Sequence, residues 1–418
     1  MTLEAYEDLR LVLSRRLAIE VERERSFVIF DQTSRTRLEV GRRLYHVMRG
    51  FQSPARVRDV IEPQLRTPLR PMIEQLVDLG FLLDADRRLR SRETHERLLV
   101  APPQPMFRCP AGNPTTAASN VVFIGMPYDG GHAIESGCRQ GADAVRTRSA
   151  DQTYRLDSVT HAPMGWFAVE TQQHLLDGVT LADWGNIRSA QGESPETLFE
   201  RAGRVFELAV RSGAVPVLLG GDHSVSFAAI EALQDQEPLT VVWLDAHTAC
   251  GELMPTICHN HKNVVRRLFG LPNVRQIVNV GHRGFTTSDR VNQRPPRFSV
   301  VTAEQVRQEG PDPLIALLPK GGRCYVSIDI DVLDPIHAPA TSTPVPGGLT
   351  PAEVKRLLRA IGAQTRIAGI DLVEITPSRE TGMLTLLQAC ELLTVALAAA
   401  FPAGTKDADR TRGGATRG

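Results

Sequence analysis

Beyond residue 119 the chain repeats one pattern: a short, almost continuous apolar run, then in most cases a stretch with helical periodicity. The runs are VVFIG (121–125), VTLAD (179–183), AVPVLLG (214–220), LTVVWLD (239–245), QIVNVG (276–281), CYVSIDI (324–330) and IAGIDLV (367–373). Helical segments fall near 196–211, 225–233, 262–268, 303–308 and 351–361, and a last one spans 383–400. A strand that is apolar on both faces has to be covered on both. Such strands alternating with helices predict a three-layer α/β/α domain around a mostly parallel sheet. In that architecture ligands gather beyond the carboxyl ends of the strands. The chemistry should therefore lie in the polar residues that follow each run.

Three run ends are unusually polar. LLGGDHS (218–224) delivers His223 after two glycines; WLDAHTA (243–249) delivers Asp245 and His247; SIDIDVLDP (327–335) delivers Asp329, Asp331 and Asp334. Side chains alternate along a strand, so Asp245 and His247 share a direction, as do Asp329 and Asp331. Three carboxylates and two imidazoles thus converge on one rim. Carboxylates crowded together raise each other's proton affinity unless a cation joins them. Mixed imidazole and carboxylate donors suit a divalent transition metal, with Mn(II), Zn(II), Fe(II) and Ni(II) all compatible.

The first 100 residues follow a different plan. FVIFDQTSRTRLEVG (27–41) reads as a hairpin. A helix follows with Leu44, Val47 and Met48 on one face. A second starts at Ser53 and Pro54 and turns Val57, Val60 and Ile61 inward. A third places Met72, Ile73, Leu76 and Leu79 together, before a terminal strand at Phe81, Leu82 and Leu83. Hairpin, three helices and a strand predict a small winged-helix-type module. It holds 19 arginines against 16 acidic residues and no lysine, but no helix carries the basic stripe that DNA binding needs. Residues 101–118, with five prolines, read as a linker, residues 119–402 as the large domain, and residues 403–418 as a disordered tail.

Composition narrows the function classes. The 48 basic and 48 acidic residues cancel, which argues against nucleic acid or an anionic membrane as a partner of the whole chain. No apolar run is long enough to span a bilayer, and the polar start MTLEAYEDLR is unlike a secretory signal. Six cysteines without regular spacing (Cys109, Cys138, Cys250, Cys258, Cys324 and Cys390) fit reduced thiols and a cytoplasmic location.

GGDHS (220–224), DAHTA (245–249) and SIDIDVLDPIHAPATSTPVPGGLT (327–350) strongly resemble the three signature motifs of the ureohydrolases: arginase, agmatinase, formiminoglutamase and relatives. MPYDGG (126–131), which contains Asp129, resembles that family's substrate-rim loop, and DLVEITP (371–377) matches the position of its guanidinium-holding glutamate, here Glu374. The resemblance implies Mn(II), one or two ions per chain, sharing a hydroxide that attacks a guanidinium carbon and releases urea. It implies His223 on the first ion, His247 and Asp331 on the second, and Asp245 and Asp329 between them. Asp334 would orient the loop from outside. For the proton returned to the leaving amine, HKNVVRRL (261–268) offers His261, with His259 as the alternative and a possible substrate contact. Where the family has a further aspartate the chain has Ala249, and Cys250 or Glu252 would be the replacement ligand. The resemblance also implies a homo-oligomer.

The N-terminal pattern, with LVDLGFLL (76–83) at its end, resembles the leader-peptide recognition domain of enzymes that modify ribosomally made peptides. Such domains take a peptide as an added strand. The two resemblances together imply conversion of peptidyl arginine to peptidyl ornithine plus urea on an arginine-containing precursor peptide. A small-molecule agmatinase or guanidino-acid hydrolase, and a non-catalytic arginase-like binding protein, stay open as alternatives.

Overall fold

A computed structural model describes residues 6–14, 17–31, 37–52, 55–79, 81–84, 98–114, 116, 118–132, 137–190, 192–234, 237–251, 259–285 and 297–402. The chain divides into two compact units, one within residues 1–94 and one holding the large sheet.

Nine strands form that sheet: β1 (Leu99–Val100), β2 (Val121–Met126), β3 (Leu181–Ile187), β4 (Val215–Gly220), β5 (Leu239–Leu244), β6 (Val274–His282), β7 (Phe298–Thr302), β8 (Arg323–Asp329) and β9 (Arg366–Val373). Their spatial order is β7-β6-β5-β8-β9-β4-β2-β3-β1. All neighbours are parallel except β1, which runs antiparallel to β3 at the edge. Alternate residues of each strand serve opposite cores. Val121, Phe123, Val242 and Leu244 belong to one apolar cluster, and Val122, Ile124, Val241 and Trp243 to the other. Helices α1 (Gly141–Ser149), α5 (Ala303–Glu309), α6 (Pro351–Gln364) and α7 (Leu384–Ala400) cover the first face. Helices α2 (Pro195–Arg211), α3 (Ser226–Glu231) and α4 (Val264–Leu268) cover the second. This is the three-layer arrangement that the doubly apolar runs require.

Two edges depart from the sequence reading. β7 was not among the expected runs, because FSVVT is short and its middle is only half-buried. The expected linker at 101–118 is instead packed structure. Met106, Phe107 and Cys109 are buried in the first core, and the Met106 N–H donates to Asp183 Oδ2 at 2.7 Å. Proline density there marks irregular backbone, and three buried apolar side chains hold that backbone on the domain.

The N-terminal unit has two small antiparallel sheets. One joins Leu17–Glu22, Ser26–Asp31 and Arg37–Gly41 in that order. The other joins Ala55–Arg56, Arg10–Leu13 and Leu82–Asp84. The hairpin, the helix Arg42–Arg49 and the terminal strand lie where the sequence put them, while the two strands before residue 23 were not read from it. The second helix is only Val57–Val60, and its expected cap at Ser53 and Pro54 lies outside the described residues. The third begins early, at Pro63, and runs to Asp78. Its buried stripe is Ile73 and Leu76 with Leu69, so Met72, expected inward, points to solvent.

Candidate metal centre

Four adjacent central strands, β5, β8, β9 and β4, end at one place and carry the site. Asp245 follows β5, Asp329 ends β8, Glu374 follows β9, and His223 stands three residues past β4. After β4 the chain has to pass tightly under the neighbouring loop: a Cβ on Gly221 would overlap the Tyr128 carbonyl. That close approach needs glycine and sets the direction in which His223 leaves the sheet.

The five expected ligands form two overlapping groups. His223, Asp245 and Asp329 bring their donor atoms within 4.8 Å of one another, as do Asp245, His247 and Asp331. His223 Nδ1 lies 3.1 Å from Asp245 Oδ2 and 3.0 Å from Asp329 Oδ2. His247 Nδ1 lies 2.9 Å from Asp331 Oδ2 and 3.4 Å from Asp245 Oδ1. Asp245 therefore joins the groups with one oxygen each. Asp329 sits in the first only, its other oxygen accepting the Asp331 N–H at 2.9 Å. Asp334 lies outside both and ties down the loop, accepting from the N–H groups of Ile336, Gly347 and Gly348.

Burial sharpens the electrostatics. Burial, then the neighbouring Asp331 and Asp245, push the Asp329 carboxyl well above the usual carboxylate range, and burial with Asp245 also raises Asp331. Asp245 moves the other way: burial opposes its charge, but His223 and His247 outweigh that and hold it low. Burial works against a charged His247, yet Asp245 and Asp331 push it up to about 11. A cluster of three buried carboxylates held together by shared positive charge is a donor set built for divalent cations.

The surroundings were less visible in the sequence. Trp243 stacks on the His223 ring with centroids 3.8 Å apart, and its indole N–H donates to Asp245 Oδ2 at 2.8 Å. His223 Nε2 meets Ser327 Oγ at 2.8 Å, and that hydroxyl donates to Asp371 Oδ1 at 2.7 Å. Alternation along β8 could have found Ser327, two residues before Asp329 on the same face.

Glu374 lies in the left-handed region at φ 63° and is buried. Its Oε1 accepts the His223 N–H at 2.8 Å, and its Oε2 accepts from Ser342 Oγ at 3.0 Å. His132 Nε2 meets both oxygens, at 3.1 and 3.0 Å. Neither His132 nor Ser342 was singled out from the sequence, although His132 directly follows the quoted MPYDGG. His261 stacks on His132, centroids 3.8 Å apart, and its Nδ1 meets the Gly131 carbonyl at 2.8 Å. Burial and the adjacent His132 lower His261 to about 4.

His259, Asp129 and Cys250 have other partners in the fold. The His259 ring stacks on Phe199 at 3.5 Å and meets Arg267 at 2.8 Å, so it is a buried packing group and not a substrate contact. Asp129 Oδ1 accepts from Arg139, whose Nη2 lies 2.6 Å away. Cys250 joins neither ligand group among the described residues; Ala249 turns the chain at φ 44°, and Cys250 packs against the second core. Glu252 and Cys258 lie outside the described residues. The other five cysteines are free thiols.

A parallel sheet whose central strand ends gather two linked His–carboxylate groups defines an α/β/α protein with a candidate divalent-metal centre. The profile of the arginase family matches residues 119–399. The chain is 31% identical to proclavaminate amidinohydrolase of Streptomyces clavuligerus over 69% of its own length and 90% of that protein's. It is 32% identical to formimidoylglutamase of Halobacterium salinarum, over 67% and 88%. The solved proclavaminate amidinohydrolase structure from S. clavuligerus superposes with a TM-score of 0.61 at 28% identity, covering 73% of this chain and 98% of that one. The chain belongs to the arginase family, and it is a hydrolase. No helix among the described residues is long and apolar enough to cross a membrane.

Proposed function

We propose that the protein hydrolyses the guanidino group of arginine residues in a ribosomally made precursor peptide, leaving ornithine residues and urea. The observation that carries the chemistry is the buried Glu374 carboxylate beside the His223–Asp245–Asp329 group, two sites of opposite need within one strand-end cluster. A planar guanidinium donates two parallel N–H bonds to such a carboxylate. What supports a peptide substrate is the separate N-terminal unit, whose Leu17–Glu22 strand is the outer strand of its sheet and exposes Ile19 and Val21. A peptide can add to such an edge through its backbone.

Mn(II) fits the donor set: His223, Asp245 and Asp329 would hold one ion, and Asp245, His247 and Asp331 a second. Bound there, it would supply a hydroxide near neutral pH and polarise the guanidinium carbon. The chain's own residues do the rest. Glu374 orients the guanidinium, Ser342 and the His223 N–H fix the Glu374 carboxylate, and Trp243 fixes Asp245. His261, stacked on His132 beside Glu374, supports the reading that it returns a proton to the leaving amine.

Incubating the full-length protein and Mn(II) with an arginine-bearing precursor peptide should remove one CN2H2 unit per converted arginine and release an equal amount of urea. An unchanged peptide mass with Mn(II), Fe(II), Zn(II) and Ni(II) in turn would refute the peptide reading. The second reading, a small guanidino compound as substrate, is favoured by the relatives, which include a guanidinobutyrase of Pseudomonas aeruginosa and an agmatinase of Gallus gallus. Urea release from free agmatine or 4-guanidinobutyrate, with no gain on the peptide, would establish it.

A further inference from the structure

A carboxylate that is to receive a guanidinium needs two oxygens with their adjacent lone pairs open to the substrate. Glu374 meets the first condition firmly. Its backbone N–H is anchored on the Gly221 carbonyl at 2.9 Å, and its left-handed backbone is held by the surrounding structure. One position on each oxygen is taken, Oε1 by the His223 N–H and Oε2 by the Ser342 hydroxyl. The remaining pair, where the two parallel N–H groups of a fork would dock, is where His132 Nε2 sits, shared almost equally at 3.1 and 3.0 Å.

His132 is also a flat group held as a flat substrate cation would be held. Its ring lies on the His261 ring with an interplanar angle of 16°. His261 is itself fixed by the Gly131 carbonyl. One edge of the imidazole therefore meets a carboxylate and one face meets an aromatic plane, which is how a delocalised guanidinium binds a protein.

We propose that His132 is a resident stand-in for the substrate guanidinium: it fills the guanidinium seat on Glu374 and has to be displaced before a substrate can bind. This rests on the reading of Glu374 as the guanidinium acceptor. The consequence is selectivity. A free guanidino compound competes with His132 with little binding energy beyond the fork itself, whereas a substrate anchored elsewhere on the protein brings additional energy to displace it. The imidazole thus sets a threshold against small guanidino compounds.

The test uses the full-length, Mn(II)-loaded protein and guanidinium chloride as the probe, titrated calorimetrically. H132A should bind guanidinium about tenfold tighter than wild type, as expected when a competing charge-assisted hydrogen bond is removed. The same variant should show a lower KM for free agmatine. H132Q, which keeps a donor in the seat, should fall between the two. E374Q should abolish guanidinium binding in both the wild-type and H132A backgrounds. Equal or weaker guanidinium binding by H132A, with thermal unfolding and metal content as in wild type, would overturn the proposal and make His132 a substrate-contacting residue. Guanidinium binding that survives E374Q in both backgrounds would instead overturn the assignment of Glu374, and the stand-in with it.

Discussion

His223 and His247 meet different oxygens of Asp245, and the protein supports them differently. On the His223 side every donor is buried, Trp243 stacks on the ring, and a hydroxyl–carboxylate chain through Ser327 and Asp371 backs the second nitrogen. By the family resemblance, this is also the side of the ion whose further aspartate would come from position 249, here alanine. On the His247 side Asp245 and Asp331 join the imidazole without Asp329, and the imidazole is 43% exposed. Each half gathers three donors, but one has the stiffer shell and the other the looser one. Rigidity of the partners and number of donors both contribute to metal affinity, so a missing donor does not by itself make the first half the weaker one.

The harshest way to break this comparison is to remove what the halves share. D245A should lose metal from both groups and lower kcat/KM by more than about a hundredfold, beyond the range seen for outer partners of a metal ligand. Metal analysis of the purified variant alongside urea-release kinetics would check it, and one retained ion would show that the halves are independent. S327A removes the support of His223 alone. Metal affinity of the first group should fall by roughly ten- to a hundredfold while the second is unchanged, read as a shift of one phase alone in a Mn(II) titration.

A249D sharpens the comparison from the other side by restoring a carboxylate. Ala249 has a left-handed backbone at φ 44°, a region that aspartate tolerates better than alanine, so the change should not strain the turn. Mn(II) stoichiometry should move toward two ions per chain, with the first group binding about tenfold tighter. Unaltered titration curves would mean that residue 249 does not face the cluster.

The smallest expected effect concerns His259, which lies outside the cluster. Burial, then Arg267, hold its proton affinity well below the ordinary histidine value. The unfolded chain takes up a proton near pH 6.5 that the native ring resists, so stability is full above that pH and declines as the pH falls below it. H259Q should flatten this decline between about pH 6.5 and 5 without changing metal affinity at pH 8. Denaturant unfolding at matched metal concentration measures both.

The sequence was a good guide where one local rule governed. Doubly apolar runs named seven of the nine sheet strands, and the polar residues after them supplied every member of the two ligand groups. It misled where a rule was carried past its domain. Cys250 was taken as a replacement ligand although the chain turns at Ala249, and Met72 was set on the inner face of a helix whose buried stripe is Leu69, Ile73 and Leu76. Proline-rich chain at 101–118 was read as a linker because composition does not register that Met106 and Phe107 have a core to enter.

By itself, then, the sequence determined the layered α/β/α fold and which side chains converge on its rim, because strand burial and side-chain alternation are properties of neighbouring residues. Only the tertiary structure decided which histidines serve that rim. His132 and His259 are both single histidines in loops. The fold lays one on His261 against Glu374 and encloses the other between Phe199 and Arg267. No local pattern separates them, since each position depends on elements far away in the chain that meet only when the sheet has assembled.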